Sequence, residues 1–261
     1  MVNRPTPHPE VNELLDALTA GLREILGDQL VSIYLFGSAT TSDFGRESDV
    51  DVVVVTADTI EGETFAALQA MHARIATIDS WCATQLEVSY IPRRAIRRYN
   101  PADAIHPRLD RGKGENLHMM RHAADWVVQR HLIRERGLTL LGPAPAMLVD
   151  PVSPDDLRRA MVELLPEWLA PMLENPPDVR THGYQSFIVL SICRILYTLE
   201  HGEVVSKSAA ARWGEETLHA RWTPLIRGAW IGRQVPDAAP RAADLSETRA
   251  FIRYAIGRSK R

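Results

Sequence analysis

The sequence predicts an α+β protein in two parts, a mixed α/β half followed by an all-helical half. Three observations predict this. Up to about residue 91, amphipathic helical stripes alternate with short β-branched runs such as "VSIYLF" and "VDVVVV", which have the length and composition of strands. "TQLEVSYI" alternates apolar and polar residues with period two. Beyond Pro151 the chain runs in long segments of helical spacing with marked starts and stops. The expected domains are therefore 1–150 and 151–261.

The first element is a helix over 10–26, where Val11, Leu14, Leu15, Leu18, Leu22, Ile25 and Leu26 share helical spacing and Gly27 stops it. A strand follows over 31–36, and Gly37-Ser38 opens a turn or short helix. Residues 40–48 are polar and read as loop, and 49–55 as a second strand. A helix over 61–78 has Phe65, Leu68, Met71 and Ile75 as its core stripe. In "TQLEVSYI", Leu86, Val88 and Tyr90 lie on one face, and Gln85, Glu87 and Ser89 on the other. Residues 92–114 are basic and rich in turn formers, so a long mobile connection is expected.

From Leu117 nearly everything reads as helix. "LHMMRHAADWVVQRHLIRER" closes at Gly137, and "LTLLGPAP" reads as a short buried connector. In "SPDDLRRAMVELLPEWL", Ser153 caps, Pro154 suits the first turn, and Asp155 and Asp156 complement the helix dipole. "NPPD", ending at Asp178, breaks that helix. "YQSFIVLSICRILYTLEHG" is apolar enough to be the centre of a bundle, and two or three helices follow, the last over about 245–256.

The 261 residues carry a formal net charge of −3, which excludes the global basic field of a duplex nucleic-acid binder. No apolar run reaches the roughly 18 residues of a membrane span, and the N-terminus has no signal-peptide core. The two cysteines, Cys82 and Cys193, form no disulfide framework or zinc pattern. A cytoplasmic protein with reduced thiols is expected, as a monomer, with no nucleic-acid or membrane partner.

The chemistry concentrates in "LFGSATTSDFGRESDVDVVVV". Residues two apart on a strand point to one side, so Asp49 and Asp51 project together. Like charges so close are unfavourable unless something positive joins them, and a divalent cation is the economical partner. Oxygen-only ligands favour magnesium or manganese over zinc. Ser38, beside the flexible Gly37, offers a hydroxyl and backbone N–H groups to a phosphate. A glycine-serine turn for phosphates and a carboxylate pair for the metal together make a nucleoside-triphosphate site.

"GSATTSDFGRESDVD" resembles the signature of the nucleotidyltransferase superfamily. That resemblance implies a small twisted mixed sheet flanked by helices, and a third carboxylate on a later strand, here Glu87 in "TQLEVSY". "CRILYTLEHGEVVSKSAAARW" resembles the helical C-terminal domain of the aminoglycoside 3''/9-adenylyltransferases, and "ERGLTLLGPAPAMLVDPVSPDDL" and "NPPD" look like further pieces of it. The resemblance covers roughly residues 14–254. It implies ATP as co-substrate and Mg2+ as cofactor. Asp49 and Asp51 would bind the metal. Glu87 would be the general base, able to share it. Ser38 and Ser48 would contact the phosphates. Asp125 would touch the nucleotide, and Lys207 would reach the triphosphate. Asp178 would recognise the aminoglycoside, with Leu173 beside it in the acceptor site; His182, close to "NPPD", is a further candidate to face the drug, with an ordinary loop histidine as the alternative.

The implied activity is transfer of AMP to an antibiotic hydroxyl in a cleft between the two halves, with release of pyrophosphate. The chain departs from the streptomycin-modifying enzymes at Leu173, where they carry tryptophan. An aromatic of their inter-lobe loop also lacks a counterpart in "DRGKGENLHMM", and the segment 178–194 is two residues longer. Spectinomycin is therefore expected over streptomycin. Two alternatives stay open at this point: an adenylyltransferase for another small-molecule or protein hydroxyl, and a nucleotide-binding regulator without turnover. The intact set of three acids argues against the second.

Overall fold

In the computed structural model the described residues are 4–41, 43–46, 48–174, 181–239 and 242–259. The chain divides into two compact units, Met1–Pro151 and Val152–Arg261.

Unit 1 begins with helix α1, Pro9–Leu26, which buries Val11, Leu14, Leu15, Leu18, Leu22 and Leu26 along one stripe. Gly27, at φ +49, ends it and returns its N–H to the Arg23 carbonyl. Strand β1 spans Leu30–Phe36 and runs into a 3-10 turn, Gly37–Thr40; β2 spans Val50–Thr56. Helix α2, Gly62–Ile75, buries Leu68, Met71 and Ile75 and leaves Phe65 half-buried, which bears out the expected stripe. Strand β3, Leu86–Pro92, is followed by a single helical turn α3, Arg93–Ile96.

Five further elements complete the unit's frame, and the three strands among them correct the sequence reading. Residues 92–114 are not a free connection but carry strand β4, Ile105–Leu109. The first residues of the helix expected from Leu117 form strand β5, His118–Arg121, and helix α4 starts only at Asp125, spanning Asp125–Arg136. "LTLL" is strand β6, Leu138–Leu141, before a short helix α5, Pro145–Leu148. The physical reason is common to all three. β4 contains Pro107 and pairs with β3 through only Val88↔Leu109 and Ser89↔Arg108, while β5 exposes Met119 and Met120. Such short peripheral strands are held by a neighbour rather than by their own apolar pattern, so tertiary pairing overrides local spacing.

The six strands form one mixed sheet in the order β5-β4-β3-β2-β1-β6. Only β2 and β3 pair in parallel; the other four pairings are antiparallel. One face, with Ile33, Leu35, Val50, Val52, Val54, Leu86, Val88 and Tyr90, packs in a single core with α1 and α2. The alternation of β2 and β3 then sends Asp51, Glu87 and Ser89 to the opposite face.

Unit 2 is all helix among its described residues. Helix α6, Pro154–Glu174, opens on a reciprocal cap: Asp156 N–H donates to Ser153 Oγ at 3.1 Å, and Ser153 N–H donates to Asp156 Oδ2 at 3.1 Å. Helix α7, His182–His201, is capped by Thr181 and ends at Gly202, whose φ of +70 supplies the left-handed stop. Helices α8, Lys207–Thr217, α9, Thr223–Gly232, and α10, Ala242–Arg258, follow. α7 packs against α6, α8, α9 and α10 and buries Ile188, Val189, Leu190, Ile192, Cys193 and Leu196, the central place its apolar sequence demands. Among the described residues no helix is long and apolar enough to cross a membrane.

Candidate active site

The site is built at the junction of β1, the 3-10 turn and β2. Phe36, the last residue of β1, pairs with Asp51 on β2, so the turn that follows folds over that aspartate. Gly37 has φ +67, and a Cβ on it would lie 2.0 Å from Asp51 Oδ2. Only glycine satisfies both the left-handed backbone and this close approach. Ser38 is half-buried in the turn, and its carbonyl accepts the Thr41 N–H at 2.9 Å. Ser48 is turned inward: it is buried, its Oγ accepts the Gly45 N–H at 3.1 Å, and its own N–H donates to Gly45 O at 2.9 Å. Ser48 thus closes the polar loop onto the start of β2.

Beside Asp51 stands Glu87. The two residues are partners in the parallel register of β2 and β3. Asp49 lies two residues before Asp51, and its Oδ1 is buried without a hydrogen bond. The Arg111 guanidinium approaches that oxygen to 2.6 Å as an ion pair, outside hydrogen-bonding alignment. Arg108 donates through Nη2 to Glu87 Oε2 at 2.5 Å, through Nη1 to Ser89 Oγ at 3.2 Å, and through Nε to Asp110 Oδ1 at 2.6 Å. The result is one polar sheet face with alternating carboxylates and guanidinium groups.

Its electrostatics favour a base. Burial pushes the Glu87 carboxyl above the usual carboxylate range; Arg108 pulls it back, and the charges of Asp49 and Asp110 push it further up. Burial alone would lower Arg108, but Glu87 and Asp110 more than compensate and hold it firmly charged. A carboxylate whose proton affinity is raised accepts a proton more readily than an exposed one.

Among the described residues no three His, Cys, Asp or Glu side chains are grouped so as to hold an ion by themselves. Magnesium does not need such a cage, because it is commonly held by one or two carboxylates together with substrate phosphates and water. The Asp49 carboxylate, whose buried Oδ1 is ion-paired with Arg111 but makes no hydrogen bond, and the Asp51 carboxylate seated against Gly37 fit that requirement, with hard oxygen donors only.

Comparison with known proteins decides the family. Residues 18–105 match the nucleotidyltransferase domain family, and residues 147–258 match the family described as aminoglycoside adenylyltransferase, C-terminal domain. The chain carries the C-terminal domain of the aminoglycoside adenylyltransferases behind a nucleotidyltransferase domain. It is 28% identical over 258 residues to the aminoglycoside (3'') (9) adenylyltransferase of Escherichia coli, covering 95% of this chain and 94% of that protein. It is 28% identical over 214 residues to the spectinomycin 9-adenylyltransferase of Staphylococcus aureus, covering 78% of each. The fold matches that of the spectinomycin adenyltransferase AAD(9) from Enterococcus faecialis, solved with ATP and spectinomycin, with a TM-score of 0.72 at 17% identity over 95% of this chain and 99% of that one.

The structure of this adenylyltransferase brings Gly37, Ser38, Asp49, Asp51 and Glu87 together, all on the frame described above. Asp125 is the first residue of α4, and α4 packs against β1 and the 37–40 turn, within the same unit. The other expected residues are in unit 2. Lys207 opens α8 with its Nζ 5.4 Å from the centroid of the Phe187 ring. His182 opens α7 and donates its backbone N–H to Ala238 O at 2.7 Å. Leu173 is half-buried in the last turn of α6. Asp178 lies outside the described residues. Sequence reasoning missed Arg108, Asp110 and Arg111, absorbed into the basic stretch 92–114. The signal was present: "RLD" places Arg108 and Asp110 two apart, the strand spacing already read in "DVD" and "EVS".

Proposed function

We propose that this enzyme transfers AMP from ATP to a hydroxyl of an aminoglycoside or aminocyclitol antibiotic, spectinomycin in preference to streptomycin. The observation that carries the proposal is the register pair Asp51–Glu87 beside Gly37, which sets a glycine-serine turn and two neighbouring carboxylates together at one end of the sheet. Asp49 and Asp51 would hold magnesium, which would neutralise the triphosphate and polarise its α-phosphorus. The 37–40 turn presents backbone N–H groups and the Ser38 hydroxyl to phosphate oxygens. Glu87 accepts the proton of the acceptor hydroxyl as that oxygen bonds to the α-phosphorus. The bond from the α-phosphorus to the bridging oxygen breaks, and the electron pair leaves with pyrophosphate. Asp125 and Lys207 are assigned to the nucleotide, and Asp178 and Leu173 to the antibiotic, on the resemblance of their segments to the family; His182 joins them on its closeness in sequence to "NPPD".

The relatives support the acceptor class, since they are named for aminoglycosides and spectinomycin. The test is pyrophosphate release from ATP and magnesium, with and without each member of a panel of aminoglycosides and spectinomycin. Release that requires one of these drugs supports the reading. Release that ignores all of them, or none at all, removes the antibiotic as acceptor.

A further inference from the structure

We propose that Arg108 is a positioning residue for this reaction, holding the Glu87 carboxylate by one oxygen so that the other faces the acceptor hydroxyl. The inference rests on Glu87 as the base and goes beyond it by naming what aims that base. Arg108 sits on β4 directly opposite Ser89 in antiparallel register, and Glu87 is two residues before Ser89 on the same face of β3. The Arg108 side chain therefore reaches diagonally across the ladder, within range for a long side chain.

The guanidinium is planar, and three of its corners are engaged: Nε on Asp110 at 2.6 Å, Nη1 on Ser89 at 3.2 Å and Nη2 on Glu87 at 2.5 Å. Two corners held by Asp110, just past β4, and by Ser89 on β3 fix the third in space, which a lysine ammonium on its flexible stem cannot reproduce. Glu87 and Arg108 are only 18% and 19% exposed, so the contact is not a loose surface pair. With Oε2 clamped, Oε1 is the oxygen left outside the clamp. A base must stand within hydrogen-bond reach of the proton it removes, and small displacements of such a group are costly in rate.

The test is a set of four variants of the full chain, Arg108→Gln, Arg108→Lys, Glu87→Gln and the double variant Arg108→Gln/Glu87→Gln. Turnover, KM for the drug, ATP affinity by calorimetry and thermal midpoint are measured for each. The expected result is a fall in kcat of about tenfold or more for Arg108→Gln, with ATP affinity within about twofold of wild type. Arg108→Lys keeps the charge but not the fork and loses most of the same turnover; if Arg108→Gln does not fold, this variant carries the comparison. Adding Arg108→Gln to Glu87→Gln costs less than about a further twofold, because two residues acting through one another are not additive. Multiplying losses in the double variant overturn the proposal, as does full turnover in Arg108→Lys. Weakened ATP binding with kcat retained would make Arg108 a phosphate ligand instead. Full turnover in Glu87→Gln sinks the underlying base assignment, whereas an inactive Glu87→Gln with active Arg108 variants sinks the positioning role alone.

Discussion

Asp51 and Glu87 stand side by side on parallel strands, and Gly37 leaves no room between its backbone and the Asp51 carboxylate. Two acids and the glycine-serine turn are thereby fixed by strand pairing rather than by mobile loops. This fixed arrangement yields the first prediction. Asp49→Asn and Asp51→Asn each remove an anionic oxygen, so both should lose AMP transfer and magnesium-dependent ATP binding. Retention of more than about a tenth of wild-type turnover, roughly 1.4 kcal/mol of barrier, would contradict the assignment.

Glu87 should set the acid side of the pH profile. Its carboxyl is raised, chiefly by burial, so activity should fall on acidification at a higher pH than an ordinary glutamate would give. The linked effect on stability has the opposite use. A folded-state value above the unfolded one means that the folded protein binds the proton more tightly, so this group's contribution is favourable at low pH and lost as pH rises through the folded value. Glu87→Gln should therefore abolish the acid limb of turnover, lower kcat by about 10²-fold or more, and leave the thermal midpoint at neutral pH undiminished. A wild-type rate with both substrates bound would make Glu87 a bystander.

Gly37→Ala should inactivate the enzyme without unfolding it. The left-handed conformation costs a non-glycine residue about 1–2 kcal/mol, and the new methyl must displace the Asp51 carboxylate. Circular dichroism should show the native spectrum, while turnover drops with the same loss of ATP affinity as in Asp51→Asn. Normal turnover would mean that the Asp51 carboxylate does not need its seat against the turn.

Leu173→Trp should shift drug preference towards streptomycin. Leucine supplies apolar area but no π-face, and an aromatic contact to a large cationic glycoside contributes on the order of 1 kcal/mol. Growth of a sensitive bacterial host on each drug reads the ratio. Stronger protection by the parent chain against streptomycin than against spectinomycin would overturn the preference.

The central strands and the acids were legible because their own side chains encode them. β2 is rich in valine, β3 alternates, and the stripe of α1 repeats at helical spacing. The "DVD" spacing gave a shared face before any partner was known. β4, β5 and β6 were not legible. Pro107 interrupts one, Met119 and Met120 leave another exposed, and β6 is a four-residue strand at the edge of the sheet. Each owes its conformation to the strand beside it, and single-chain spacing carries no trace of that neighbour. The arginines of the site were lost with β4, because a guanidinium in a presumed loop reads as solvated charge. Ser48 illustrates a different limit: the sequence places a hydroxyl before the acids, but not the inward turn that spends it on Gly45.

The most direct measurement is mass spectrometry of spectinomycin after incubation with the enzyme, ATP and magnesium. The account predicts a covalent drug adduct carrying one AMP, formed together with an equal amount of pyrophosphate and absent in the Asp51→Asn protein. Unmodified drug, with ATP either untouched or consumed in its absence, would contradict it.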